Sequence, residues 1–195
     1  MCGQLLALKI WIDFLKSLGM SDEVIAVIVE AYQEGVVKPT DAYPVVTQGP
    51  VITTKSWSLV PSWASAPQKA ATFNARIETA SEKPTFKEAF ARRHALIPVA
   101  GFHEWSGPAS SRQKWMITRR DHEPLVLAGL WEGDTFTILT RAAGTQMAAI
   151  HDREPVVVGR RQWQAWLAND LFDPALPPDD FYQFEPVGDV QASLF

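Results

Sequence analysis

Leu125-Val126-Leu127-Ala128-Gly129-Leu130-Trp131-Glu132-Gly133-Asp134-Thr135-Phe136-Thr137-Ile138-Leu139-Thr140 reads as two β-like runs separated only by Gly133 and Asp134. Apolar, β-branched and aromatic residues fill both runs, and turn formers bound them, which is how strands look in sequence. Working outward, runs of the same texture stand at residues 50–54, 56–60, 95–99, 114–118 and 154–158. Helical stretches are expected at 83–93, 144–150 and 160–169. Strands follow one another closely instead of alternating with helices, so the spacing predicts an α+β domain with a mainly antiparallel sheet. Before this region, residues 5–18 are apolar around much of a helix, and Gly19 stands where a C-terminal cap would. Ser21 suits the N-cap of a second helix reaching residue 34, with Asp22 and Glu23 in its first turn and Gly35 at its end. After Phe172 the chain turns acidic and Pro-rich, which predicts a surface-hugging extension over 170–195.

Composition narrows the function classes. The 195 residues fall within the range of one domain, and 47% hydrophobic residues suffice for a sizeable core. A single cysteine excludes an internal disulfide and any Cys-rich zinc site, and suits a reducing, cytoplasmic setting. The first residues lack a basic n-region and a small-residue cleavage site, so no signal peptide is expected. The longest apolar stretch, residues 24–29, falls far short of the ~20 needed to span a bilayer. No membrane partner, metal or cofactor is expected, and a monomer is. Net charge is −4, which argues against nucleic acid, yet the charge is unevenly spread. Residues 50–165 carry 15 Lys and Arg against 10 Asp and Glu, while residues 1–49 carry 3 against 6 and residues 166–195 carry none against 6. A modest cationic middle can meet phosphates.

No GxGxxG, Walker A, HExxH or GxSxG motif is present, which removes the commonest dinucleotide, phosphate, zinc-protease and serine-hydrolase readings. What remains is a scattered polar set. Once Met1 is removed, Cys2 carries a free amine and a thiol on adjacent carbons, with reference pKa values of about 7.7–8.0 and about 8.5. Such a 1,2-aminothiol condenses with an aldehyde: the amine forms a Schiff base and the sulfur closes a five-membered thiazolidine. The same terminus can serve as an N-terminal nucleophile for amide hydrolysis. In Phe73-Asn74-Ala75-Arg76-Ile77-Glu78-Thr79, Asn74 and Arg76 offer an amide and a bidentate phosphate donor. In Gly101-Phe102-His103-Glu104-Trp105, a carboxyl lies among aromatics, where desolvation raises its pKa for general acid/base work. By strand alternation Glu104 shares a face with Phe102 and His103 shares the other with Trp105, so only one of the two can point at a given site. His151, in Ile150-His151-Asp152-Arg153-Glu154-Pro155, has the reference pKa of a proton shuttle. Trp57 and Trp63 flank a Pro-broken segment and can stack unpaired bases, or simply fill a core.

Taken in order, these segments resemble one family, the SRAP (SOS-response-associated peptidase) proteins that process abasic sites. The likeness runs through Met1-Cys2-Gly3, residues 57–64, 73–79 with Lys83-Pro84-Thr85-Phe86, 96–105, 127–132, 136–140 and 150–155. It implies a single SRAP-like domain over 1–195, with the nucleophile's strand and helices in 1–37. It also implies a covalent thiazolidine crosslink between Cys2 and abasic sites in single-stranded DNA, and autoproteolytic loss of Met1. Asn74 would hold the Cys2 terminus, Glu104 would assist sugar-ring opening, and His151 would be its partner acid/base. Arg76, Trp63, Thr140, Gln4 and Arg153 would face DNA, in the cytoplasm or on the nucleoid of a bacterium. The chain departs from the family where Gln4-Leu5 replaces Arg-Phe, where His103 replaces Tyr, and where an Asn-x-Ala-Pro-Thr-Gln segment gives way to Pro44-Val45-Val46-Thr47-Gln48. The alternatives are a thiol peptidase or amidase acting through Cys2, and a non-catalytic single-strand binder.

Overall fold

The computed structural model describes residues 2–7, 12–17, 19, 21–23, 25–26, 35–49, 51–64 and 72–188. Among them, twelve strands form two sheets. The strands are β1 (Gln4–Leu6), β2 (Val36–Val37), β3 (Ala42–Thr47), β4 (Val51–Trp57), β5 (Asn74–Arg76), β6 (His94–Val99) and β7 (Gly101–Ser106), followed by β8 (Gln113–Arg119), β9 (Leu125–Glu132), β10 (Thr135–Ala142), β11 (Arg153–Pro155) and β12 (Tyr182–Val187). Short helices α1 (Ile12–Ser17), α2 (Ile77–Ala80), α3 (Lys87–Arg92) and α4 (Trp163–Leu167) join them, with 3-10 turns at Met147–Ala149 and Arg160–Gln162. The α+β class, single domain and mainly antiparallel pairing expected from the sequence are what the fold has.

The opening stretch forms the β9–β10 hairpin. Glu132 pairs with Thr135 across the two-residue loop, and Gly133 takes φ +52°, which favours glycine. β10 is the hub of the larger sheet. It pairs antiparallel with β9 and β11, and parallel with β4 at Thr135–Phe136 and β5 at Ile138–Thr140. From β4 the pairings pass through β3, β6 and β9 and return to β10, so the path closes on itself. A strand that is paired on both sides and packed on both faces must be apolar throughout, and β6 and most of β9 are buried at every position. Close packing also fixes Gly129: a Cβ there would lie 2.1 Å from Ile97 Cδ1 and 2.8 Å from the Thr137 carbonyl.

The smaller sheet runs β12-β8-β7-β1-β2. Here the structure corrects the N-terminal expectation, because Leu5 and Leu6 belong to a strand and not to a helix over 5–18. Leu5 stands between Phe102 of β7 and Val37 of β2, fully buried. Tertiary pairing of a buried residue outweighs a helical pattern in its neighbours. Residues 12–17 keep the helix. The second expected helix is seen at residues 22–23 and 25–26; residues 24 and 27–34 lie outside the described residues. The acidic tail is corrected too: Tyr182–Val187 forms a strand paired with residues 114–119 of β8, with Tyr182 in the core. The runs expected at 50–54 and 56–60 are one strand, β4, ending at the buried Trp57.

Candidate active site

Three of the four residues expected to do chemistry come together where β1, β5 and β7 meet. β1 enters beside β7 in antiparallel register, Gln4 opposite His103 and Leu5 opposite Phe102. That register sets the N-terminal end of the chain next to Glu104. β5 lies against β10 on the other sheet, with Asn74 opposite Ile138. Its side-chain amide reaches across to donate to the Cys2 carbonyl at 2.6 Å. The Asn74 Oδ1 is buried without a hydrogen-bond partner among the described residues.

Cys2 is 1% exposed, and its thiol points toward the Gln4 carbonyl at 3.9 Å. Burial pushes the thiol far up from its ordinary range, and the Glu104 charge adds to the rise. Cys2 therefore stays protonated at neutral pH in this setting. Glu104 is 3% exposed, and its Oε1 accepts from the Trp105 N–H at 3.2 Å. The strand alternation read from sequence separates it from His103. His103 pairs across to Gln4 and Met116, and burial together with the Lys114 charge holds its imidazole below the usual range. Glu104 is thus the member of the pair whose carboxyl lies close enough to raise the Cys2 thiol.

His151 stands at the head of β11. In sheet order β10 separates β11 from β5, so His151 lies two strands from Asn74. Its Nδ1 accepts from the Arg153 N–H at 3.0 Å and lies 2.7 Å from Asp152 Oδ1. The first contact needs a bare Nδ1 and the second a protonated one, so the ring has a partner in either state. Such a residue can lend or take a proton without losing its anchorage.

The residues expected to face DNA divide by exposure. Trp63 is 61% exposed, and its Nε1 donates to the Pro84 carbonyl at 3.5 Å. Trp57, the other aromatic of that segment, is core: its Nε1 donates to the Phe73 carbonyl at 2.7 Å, and its ring stacks on Phe136. Arg76 is exposed at the end of β5. Gln4 is half-buried, with its Oε1 unpartnered among the described residues. Thr140, expected to line the channel, is instead 1% exposed, because β10 places it between Arg76 of β5 and Pro155 of β11. Its hydroxyl donates to the Ala75 carbonyl at 3.3 Å. Arg153 is engaged inside the protein. Its guanidinium takes both Glu78 oxygens at 2.8 Å and the Thr140 carbonyl at 2.8 Å. That bidentate grip draws the Glu78 carboxyl down to about 2. Glu78 also accepts from the Ala142 N–H at 3.0 Å, so it ties α2 to β10 and β11 at once. Sequence reading quoted Glu78 but gave it no task; only the fold brings residues 78 and 153 together.

A cavity of about 480 Å³ borders this clamp, lined by Ile77, Glu78, Arg141 and the segment from Phe172 to Leu176. None of the four chemical residues lines it, so it does not mark the chemistry. No cluster of three or more His, Cys, Asp or Glu side chains able to hold a metal occurs among the described residues. No helix there is long and apolar enough to cross a membrane.

Comparison with known proteins adds to this geometry. The family model described as SOS response associated peptidase (SRAP) matches residues 1–181. The abasic site processing protein YedK of Escherichia coli is 28% identical over 123 residues, 59% of this chain and 54% of YedK. YoqW of Bacillus subtilis, also named an abasic site processing protein, is 32% identical over 129 residues, 60% of this chain and 58% of its own. The yeast abasic site processing protein YMR114C is 30% identical over 125 residues, 58% of this chain and 34% of its own. The matched stretch thus spans between a third and three-fifths of these relatives. Among solved structures, a protein from Bordetella bronchiseptica superposes with a TM-score of 0.81 at 25% identity, covering 96% of this chain and all of that one. A protein from Bacteroides thetaiotaomicron has the same fold, with a TM-score of 0.79 at 20% identity over 96% of this chain and 93% of that one.

Proposed function

Because this chain belongs to the SOS response associated peptidase (SRAP) family, we propose that it captures abasic sites in single-stranded DNA as a thiazolidine on Cys2, after removing its own Met1. The observation that carries this reading is the 2.6 Å bond from the Asn74 amide to the Cys2 carbonyl, with the Glu104 carboxyl beside the thiol. It fixes the backbone of the residue whose two heteroatoms must meet one carbon.

Removal of Met1 hydrolyses one peptide bond, consumes one water and frees the Cys2 amine. The ring-opened deoxyribose presents an aldehyde at C1′. The amine nitrogen adds to that carbon, the oxygen leaves as water, and a Schiff base remains. The thiol sulfur then bonds to the same carbon while its proton passes to the nitrogen, closing the ring with no net gain or loss of protons. A thiol kept protonated by burial suits this order, since the amine acts first and the sulfur arrives with its proton. Glu104 carries protons in ring opening and in loss of water, and His151 serves as the second acid/base. Trp63 stacks an unpaired base and Arg76 meets phosphate. Gln4 flanks the entry where the family has Arg. Thr140 and Arg153 support that wall from within.

The test is incubation of the processed protein with an oligonucleotide bearing one abasic site, followed by denaturing electrophoresis after heating. Wild type should give a heat-stable shifted band and Cys2→Ala should give none. A band of equal intensity from Cys2→Ala would overturn the reading.

A further inference from the structure

The turn that carries His151 is closed at its neck by the Ala143 N–H, which donates to the Asp152 carbonyl at 3.0 Å. Beside that neck the Gly144 N–H donates to Glu154 Oε2 at 3.1 Å. Within the turn, the Gly144 carbonyl accepts from Ala148 at 3.0 Å, and the Met147 carbonyl accepts from His151 at 2.9 Å. Hydrogen bonds and one 3-10 turn therefore lead from the Glu154 carboxylate to the backbone of His151.

Glu154 is an unusual filling for its place. It is 2% exposed on β11, opposite Arg141 of β10, and its Oε1 has no hydrogen-bond partner among the described residues. Burial pushes its carboxyl up, while the Gly144 N–H and the Arg141 charge draw it down. Arg141 is shared with Asp173. From β12 the buried Tyr182 phenol faces the same space, and Asp179 borders it from the preceding segment. An apolar side chain would fill this position at lower desolvation cost, so the carboxylate needs a task. A second side-chain anchor holds the same turn from β12: the Tyr182 N–H donates to Gln146 Oε1 at 3.1 Å.

We propose that Glu154 is a positioning residue that fixes the His151 turn and so sets the imidazole for proton transfer. The inference rests on the reading of His151 given above. Its test compares E154L, E154Q, Q146L and His151→Ala in single-turnover crosslinking to an abasic oligonucleotide, in affinity for the same strand, and in the NMR resonances of the His151 imidazole. E154L should slow crosslinking about tenfold to a hundredfold, the scale of a misplaced reacting group, with unchanged affinity and displaced His151 resonances. E154Q keeps an acceptor for Gly144 and should recover most of the rate. Q146L should move the resonances in the same direction by less, and it decides the matter should E154L not fold. Unmoved His151 resonances in Q146L and in a folded E154L, or wild-type crosslinking by E154L, would overturn the proposal. Wild-type crosslinking by His151→Ala would instead sink the acid/base reading of His151, while displaced resonances in E154L would still support its placement by Glu154.

Discussion

Cys2 and Glu104 show how burial decides chemistry at the scale of a single residue. The Cys2 thiol is shielded from solvent and pushed up by desolvation. Each unit of that rise cuts the thiolate fraction about tenfold, so iodoacetamide at pH 8 should label Cys2 far more slowly than free cysteine, and denaturant should abolish the difference. Labelling of the folded protein at the free-cysteine rate would mean that the thiol is exposed. Glu104→Gln keeps the shape of the side chain and removes a proton carrier. Crosslinking should slow by about 10²–10⁴-fold with little change in DNA affinity, read from single-turnover rates and a binding titration. Equal loss of rate and affinity would mark Glu104 as structural. Gln4→Arg should tighten binding to single strands. It should steepen the slope of log affinity against log salt by about 0.7, the contribution of one phosphate contact.

Among the elements, the clamp between α2 and β11 has a pH signature. Arg153 holds the Glu78 carboxyl down to about 2, against about 4.3 in an unfolded chain. A depressed carboxylate stabilises the fold above the unfolded value, and that contribution is lost as pH falls toward the folded one. Wild type should therefore lose stability between about pH 4.3 and 2 more steeply than Glu78→Gln does, as followed by urea unfolding across that range. Packing of β9 gives a second test. Gly129→Ala would drive a Cβ against a backbone carbonyl and Ile97, and should cost about 1–3 kcal/mol of unfolding free energy. The hairpin around Gly133, the apolar β6 and the alternation of Glu104 with His103 were legible in the sequence, because local pattern and final burial agree there. Leu5, Leu6 and residues 182–187 were misread, because their strands exist only through partners distant in sequence: β7 for the first and β8 for the second. The burial of Thr140 and the internal bonds of Arg153 were not legible for a similar reason, since no local pattern reveals that β5 and β11 pair with β10 on either side.

For the molecule as a whole, two sheets meet at one point: the smaller brings Cys2 and Glu104, and the larger brings Asn74, with the His151 turn farther along the larger sheet, beyond β10. Cys2, Asn74 and Glu104 stood out in the sequence by type and resemblance, but the contact that brings them together did not. It depends on an amide of one sheet bonding a carbonyl of the other, 72 residues apart in the chain. The central claim is that both heteroatoms of Cys2 react, which requires a free α-amine. In a peptide bond that nitrogen is delocalised into the carbonyl and forms no Schiff base. The most direct measurement compares intact masses after incubation with an abasic oligonucleotide, for protein lacking Met1 and for protein bearing a non-removable N-terminal extension. The account predicts a heat-stable adduct, one water lighter than the sum of its parts, for the processed protein alone. An adduct of the same mass and yield from the extended protein would contradict it.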